Sequence, residues 1–298
     1  MIAYYSQSGD VEQVLRALAR PLDRPGIELT WERLRPKVEY PWPWRGPHRF
    51  FDVMPETVLG LPPSIVPPTF DPEERFDLVI LGYSVWYLSP SLPIQSFLQS
   101  PHAAVLRGAR VITVSVSRNM WLMASESMKR NLAELGAVHV DNVAVTHQGP
   151  PWATFVTTTR VLLFGTRDRL WGIFPPAGVA GEEFSRVERL GAAIAERLAA
   201  ASPPPFFRGL GAVSVNERYV IPELLGRYWF RGWAALLHRL GRLNRSLRWV
   251  GIWLFMLCLV GMILVALPFM VVVALLLRPI VRGPLRSYVV RLKEPSGA

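Results

Sequence analysis

Ser6, Gln7, Ser8, Gly9, Asp10 and Val11 form a small, hydroxyl-bearing turn near the start of the chain. If a helix opens at Asp10, its first N–H groups lack intrahelical acceptors and carry partial positive charge, so an anion suits the turn. Ser6 and Ser8 add donors, and Gly9 lets the backbone come close to a bound anion. An ordinary strand-to-helix turn capped by Ser8 or Asp10 fits the same residues. Two more stretches carry chemistry: Ser84, Val85, Trp86, Tyr87 and Leu88, and then Ser117, Arg118, Asn119, Met120 and Trp121. Tyr87, Arg118, Asn119 and His147 are candidates for assisting proton removal or stabilising an enolate. His147 is the group whose ordinary pKa lies nearest neutrality; a solvated loop histidine is the plainer alternative. Trp86 and Trp121 suit either stacking on a planar ligand or ordinary core, and Arg118 suits an anion or a surface ion pair.

These residues need elements that bring them together. Ile2 to Tyr5 reads as a short buried strand, and the apolar spacing of Val11, Val14, Leu15 and Leu18 reads as a helix from Asp10. The alternation from Ile27 to Leu34 suits an outer strand. Phe76 to Tyr83, Ala109 to Val116 and Val138 to Val145 read as buried strands, with helices after Pro90, after Trp121 and over residues 182–201. Strands alternating with helices predict an α/β fold: a doubly wound parallel sheet with helices on both faces. Loops that follow the strands of such a sheet share one edge, where ligands bind. The three stretches and His147 therefore converge there, and the set predicts a phosphorylated planar ligand. Between Pro36 and Pro72 stand ten of the 27 prolines, interleaved with Trp42, Trp44, Phe50 and Phe51. That insertion, residues 36–72, suits a substrate-side wall or a cover over the sheet.

Charge divides the chain. Residues 1–226 hold 22 Lys+Arg and 22 Asp+Glu, whereas residues 227–298 hold 11 Lys+Arg against Glu294 alone. A neutral domain followed by a basic tail rich in Trp and Leu points to membrane lipids and away from nucleic acid. Cys258 is the single cysteine, so disulfide, thiol and zinc-cysteine chemistry are excluded and no metal site is expected. A homo-oligomer is compatible with this composition.

The motif Ser6-Gln7-Ser8-Gly9-Asp10-Val11, with the strand order above, resembles the flavodoxin-like superfamily. That resemblance implies a five-stranded parallel sheet in the order 2-1-3-4-5 with FMN at the strand-end edge. The family loop usually ends in a hydroxyl where Val11 stands, and Asp10 adds a carboxylate. Over residues 1–200, YYSQSG, YPWPW, RFFD, PET, YSVWYLSPSLPIQSFLQSP, SRNMWLMA and PPAG together resemble flavodoxin-like proteins known as dialkylresorcinol condensing enzymes. This implies an FMN-dependent oxidoreductase that aromatises a dialkyl cyclohexanedione, a lipophilic small-molecule substrate supplied by a ketosynthase-type partner. The residues leave two other readings open: a membrane-associated electron carrier or quinone reductase, and a non-catalytic scaffold for the ketosynthase.

The expected organisation is a flavodoxin-like domain over 1–202, a linker over 203–226, and a basic amphipathic helix over 227–248 in the headgroup layer. A transmembrane or re-entrant segment follows over 249–277, then a basic tail over 278–298. Residues 249–277 are 29 positions without a charge, more than the ~20 that span a bilayer. Five Lys/Arg lie within 20 residues on each side, so positive charge does not choose the orientation. The reading adopted is one tilted span, kinked at Pro268, in the inner (cytoplasmic) membrane with the domain facing the cytoplasm; a re-entrant segment is the alternative.

Overall fold

The computed structural model describes residues 1–266, 283 and 287–297. Its centre is a mostly parallel sheet built from β1 (Ile2–Tyr4), β2 (Trp31–Arg33), β3 (Val79–Trp86), β4 (Ser89–Pro90), β5 (Arg110–Ser117) and β6 (Val138–Thr146). The spatial order is β2-β1-β3-β5-β6, and β4 pairs only with β3, antiparallel. Six strands thus replace the expected five, and β4 displaces the later strands in the chain numbering of the order 2-1-3-4-5. The physical cause is a tight turn at Tyr87 and Leu88, both left-handed (φ 49 and 60), which folds Ser89–Pro90 back onto Val85 and Trp86. The outer strand is shorter than expected, at three residues, and β3 runs on through Ser84, Val85 and Trp86.

Side chains alternate across the pleat, so each sheet face carries its own core. Ile2, Tyr4, Ile80 and Ile112 meet Val14, Leu15 and Leu18 of α1 (Asp10–Ala19) and Val187, Leu190 and Ile194 of the late helix Gly181–Ala199. Ala3, Tyr5, Leu81 and Val111 meet the opposite layer, α4 (Leu92–Leu98) and α5 (Leu122–Glu134). Gly82 is what lets α1 lie on β3, since a Cβ there would stand 2.4 Å from Leu15 Cδ1.

The Pro-rich insertion contains two short helices, α2 (Pro47–Asp52) and α3 (Met54–Leu59), each opened by a proline in its first turn where no N–H is needed. A further helix, α6 (Pro151–Phe164), follows β6 and precedes α7 (Gly181–Ala199). Its Thr-rich sequence has no apolar stripe, which is why periodicity does not reveal it.

The tail departs most from expectation. Phe206 and Phe207 are buried and their N–H groups donate to Asp141 of β6, at 2.5 and 3.3 Å, so the stretch expected as linker belongs to the core. The basic helix, α8, runs Glu217–Leu243, starting ten residues earlier than expected, and packs one face on the domain: Ala234 and Leu237 meet Met54, Ile252 and Phe255. α9 (Arg245–Gly261) continues as a π-helical turn to Ala266. Arg248 fixes its base to the insertion, with Nε at 2.8 Å from Asp52 Oδ1 and Nη1 at 2.7 Å from Glu56 Oε1. Residues Arg245–Val265 are long and apolar enough to cross a membrane, with mean hydropathy 2.2 and 17% of the window buried.

Residues 287–297 return to the sheet. Ser296 Oγ accepts from Asn142 N–H at 2.8 Å and donates to Asn142 C=O at 2.9 Å, while Val289 and Leu292 join the α1-side core. Residues 287–297 thus contact the same domain that α9 leaves, an arrangement the re-entrant alternative provides. Pro268 and residues 278–282, 284–286 and 298 of the basic tail lie outside the described residues.

Candidate functional site

The loop Ser6–Gly9 leaves β1 and opens α1 with Gly9 at the cap position, at φ 89, a left-handed conformation that favours glycine. The first bonds into the helix are Glu12 N–H to Ser6 Oγ, 3.3 Å, and Gln13 N–H to Gly9 C=O, 3.0 Å. The amides before them are the groups a helix start leaves for an outside acceptor. Gln7 turns away, its Nε2 donating to Pro41 C=O at 2.9 Å. Val11 is buried, with its Cγ1 close to Gly82 of β3, and brings no hydroxyl to the loop.

Asp10 neither caps the helix from solvent nor points outward. Its carboxylate is buried, accepts from Ser8 Oγ at 2.7 Å, and is gripped by Arg167, Nη1 to Oδ1 at 2.7 Å and Nη2 to Oδ2 at 3.1 Å. Arg167 Nη2 also donates to Ser8 C=O at 2.9 Å. Gly178, at φ 116, lies against this pair, where a Cβ would stand 2.9 Å from Arg167 Nη1. His147 Nε2 is 3.8 Å from Asp10 Oδ2, and its Nδ1 is 3.4 Å from Thr158 Oγ1 of α6. Burial lowers the His147 pKa; Asp10 opposes that shift, and Arg167 and Arg118 reinforce it.

The loop after β5 stands beside this group, because His147 N–H donates to Ser117 C=O at 2.9 Å. Asn119 Nδ2 donates to Thr154 Oγ1 at 3.2 Å. Arg118 lies over the Phe155 ring at 5.3 Å and makes no ion pair among the described residues; burial lowers its pKa, with Tyr219 opposing. Ser84 Oγ, Ser117 Oγ and Asn119 Oδ1 are buried without a hydrogen-bond partner among the described residues. Ser6, Ser8, Gly9, Asp10, Ser117, Arg118, Asn119 and His147 are thus gathered at one strand-end edge.

Other expected residues are placed elsewhere. Trp86 packs edge-on against Tyr5, Tyr40 and Trp44, at centroid distances of 6.0, 5.2 and 6.0 Å, and Trp121 is buried beneath α5, so neither offers a face to a ligand. Tyr87 donates its hydroxyl to Phe50 C=O and sits among Phe50, Phe51 and Phe230; burial raises its pKa well above the ordinary value. Leu88 and Val85 belong to the core, and Met120 is half-buried beside Arg118, sulfur to Nη2 at 3.9 Å. Their backbones edge the site; their side chains support the fold.

No family model matches the chain, and no curated protein matches it. Among solved structures it is similar to a flavodoxin from the domain Archaea, at 14% identity and a TM-score of 0.36 over 66% of this chain and 97% of that one.

Arg167, Gly178 and Thr158 were not legible as site residues. Asp10 is the one available signal for Arg167, because a carboxylate at a helix start facing inward needs a cation. Glu223 of α8 was also missed: it is fully buried, and its Oε2 accepts from Met123 N–H at 3.1 Å at the opening of α5. Burial raises its pKa to about 8.

The donor set fits a phosphate. Arg167 and the Ser8 hydroxyl already hold one anion, the carboxylate of Asp10, and Arg118 is a second cation without an ion pair among the described residues. Asp10 thus stands where a bound phosphate would recruit the same donors, and a phosphate must displace it from Arg167.

Proposed function

We propose that this chain is a membrane-attached flavoprotein of the oxidoreductase class that binds FMN at the strand-end edge. The observation that supports this reading is the anion already seated there, Asp10 within the donors Ser8 and Arg167, with Arg118 alongside. Ser6, Ser8, Gly9 and Arg167 would hold the phosphate, and Ser117, Asn119 and Met120 would border the ring. FMN, when bound, supplies the two-electron chemistry.

This chain's residues supply the rest. Arg167 neutralises the anion, and the carboxylate it releases lies beside His147. Burial disfavours the charged form of His147, and Asp10, 3.8 Å from Nε2, favours it, so His147 would accept a proton at Nε2 with Asp10 as its counter-charge. Arg118 places positive charge where an enolate oxygen would develop. α6 supplies Thr154 and Thr158, which orient Asn119 and His147.

The resemblance over residues 1–200 suggests the substrate: a dialkyl cyclohexanedione-type ring, aromatised by loss of two electrons and two protons, with a ketosynthase-type enzyme as partner. An apolar helix fixed to the domain by Arg248 would keep the enzyme where alkyl chains partition, at the cytoplasmic face of the inner membrane. A second reading, a scaffold without cofactor, is favoured by the burial of Trp86 and Trp121. Assay of full-length protein in detergent with FMN and a dialkyl cyclohexanedione separates them. Ring aromatisation lost in Arg118→Ala supports the enzyme; no turnover and no flavin binding supports the scaffold.

A further inference from the structure

The segment after β6 carries large apolar side chains on the outside. Trp152, Phe155, Phe164, Trp171 and Ile173 are all exposed, Trp171 at 78% and Phe164 at 69%. Trp152 and Trp171 both lean on Phe174, at centroid distances of 5.5 and 6.2 Å, so these three rings form one cluster, with Phe164 exposed at the far end of α6. A monomer surface seldom leaves this much aromatic area uncovered.

The position of the patch indicates what covers it. The end of α6 is stitched to the insertion by backbone bonds, Trp44 N–H to Leu162 C=O at 2.9 Å and Arg45 N–H to Leu163 C=O at 3.2 Å. The insertion is in turn fixed to the base of the apolar helix: Arg248 grips Asp52 and Glu56, and His48 touches Trp249, ring centroids 6.2 Å apart. The C-terminal end of α6 with Phe164, the insertion and the base of α9 are therefore joined, and the Trp152 cluster continues along the same helix. The charges match as well: Arg160 is taken up by Asp168 and Arg167 by Asp10, which leaves Arg169 in this segment, with Arg45 and Arg49 exposed on the adjoining insertion. Exposed Trp and Phe with nearby Arg, on α6 and the turn segment that follows it, suit the headgroup layer of an anionic bilayer.

We infer that Trp152 to Ile173 forms a second bilayer contact, lying in the headgroup layer beside the point where α9 enters the membrane. This rests on the membrane attachment proposed above. Because the same segment carries Arg167, Thr154 and Thr158, the contact sets the candidate site at the bilayer surface, open to ligands that arrive through the lipid.

Single cysteines at Trp171, Leu257 and Glu28, in a Cys258→Ser full-length background, would carry an environment-sensitive fluorophore in phosphatidylethanolamine/phosphatidylglycerol vesicles. The expected result is a blue shift and quenching by a lipid-borne nitroxide at 171 and 257, with 28, on the opposite sheet edge, remaining water-like. A water-like label at 171 beside a quenched label at 257 overturns the second contact and leaves the anchor standing. A blue shift at 171 without lipid quenching means a second copy of the chain covers the patch, and overturns it too. Water-like labels at both positions overturn the second contact and the anchor together.

Discussion

Arg167 and Asp10, 157 positions apart, meet with Nη1 at 2.7 Å from Oδ1, while a second guanidinium nitrogen holds Oδ2 and the Ser8 carbonyl. The pair sits at the helix start that the sequence offers as either an anion cradle or a plain strand-to-helix turn. A buried carboxylate at that position is tolerated because Arg167, the Ser8 hydroxyl and the helix dipole all oppose its charge.

Removing one partner should therefore cost more than neutralising the other. Arg167→Leu leaves the Asp10 charge buried, and the expected loss of stability is about 1–3 kcal/mol, reduced from a fully buried pair because Arg167 is partly exposed. Asp10→Asn keeps the shape and should cost under about 1 kcal/mol. Denaturant titration of the detergent-solubilised variants checks the order; equal losses would show that the pair carries no such asymmetry.

Glu223 gives a pH signature. Its folded-state pKa of about 8 lies above the ordinary 4.5, so the folded protein keeps a proton that the unfolded chain releases. The stability this contributes is fully present below pH 4.5 and is lost as pH rises through about 8. Glu223→Gln should flatten the fall in melting temperature across that window, and a decline as steep as in the unaltered protein would rule the assignment out.

Much of the scaffold follows from local pattern. Strands β3, β5 and β6 are apolar runs between turn signals, and the helical spacing from Val11 to Leu18 is strict, so the α/β class and the shared loop edge are legible. What periodicity does not carry is long-range pairing. Arg167 and Glu223 reach the edge from elements distant in sequence, and Trp86 and Trp121 read equally well as stacking groups or core. α8 and residues 206–207 look like a linker and surface helix because their partners, Asp141 and the insertion, are visible only in three dimensions.

Close packing at Gly191 tests the fold apart from the site. A Cβ there would lie 2.0 Å from the Leu18 carbonyl oxygen, so α7 must move off α1. Gly191→Ala is expected to cost about 1–3 kcal/mol by overpacking, read as a lowered thermal midpoint; an unchanged midpoint would mean that the helices do not approach this closely.

The return of the C-terminal segment predicts accessibility. Cysteines at Glu294 and at Glu28, each in a Cys258→Ser background, should react with an impermeant maleimide from the same side of sealed vesicles. Labelling from opposite sides would indicate a single crossing and contradict the Ser296–Asn142 contact.

The central claim is that Asp10 stands in for a phosphate within its own binding loop, and FMN titration of the full-length protein in detergent tests it most directly. Quenching of FMN fluorescence should report binding, Asp10→Asn should tighten it about tenfold, equivalent to ~1.4 kcal/mol, and Arg167→Leu should weaken it. If neither the unaltered protein nor Asp10→Asn binds FMN, the loop is not a phosphate cradle and the flavoprotein reading fails.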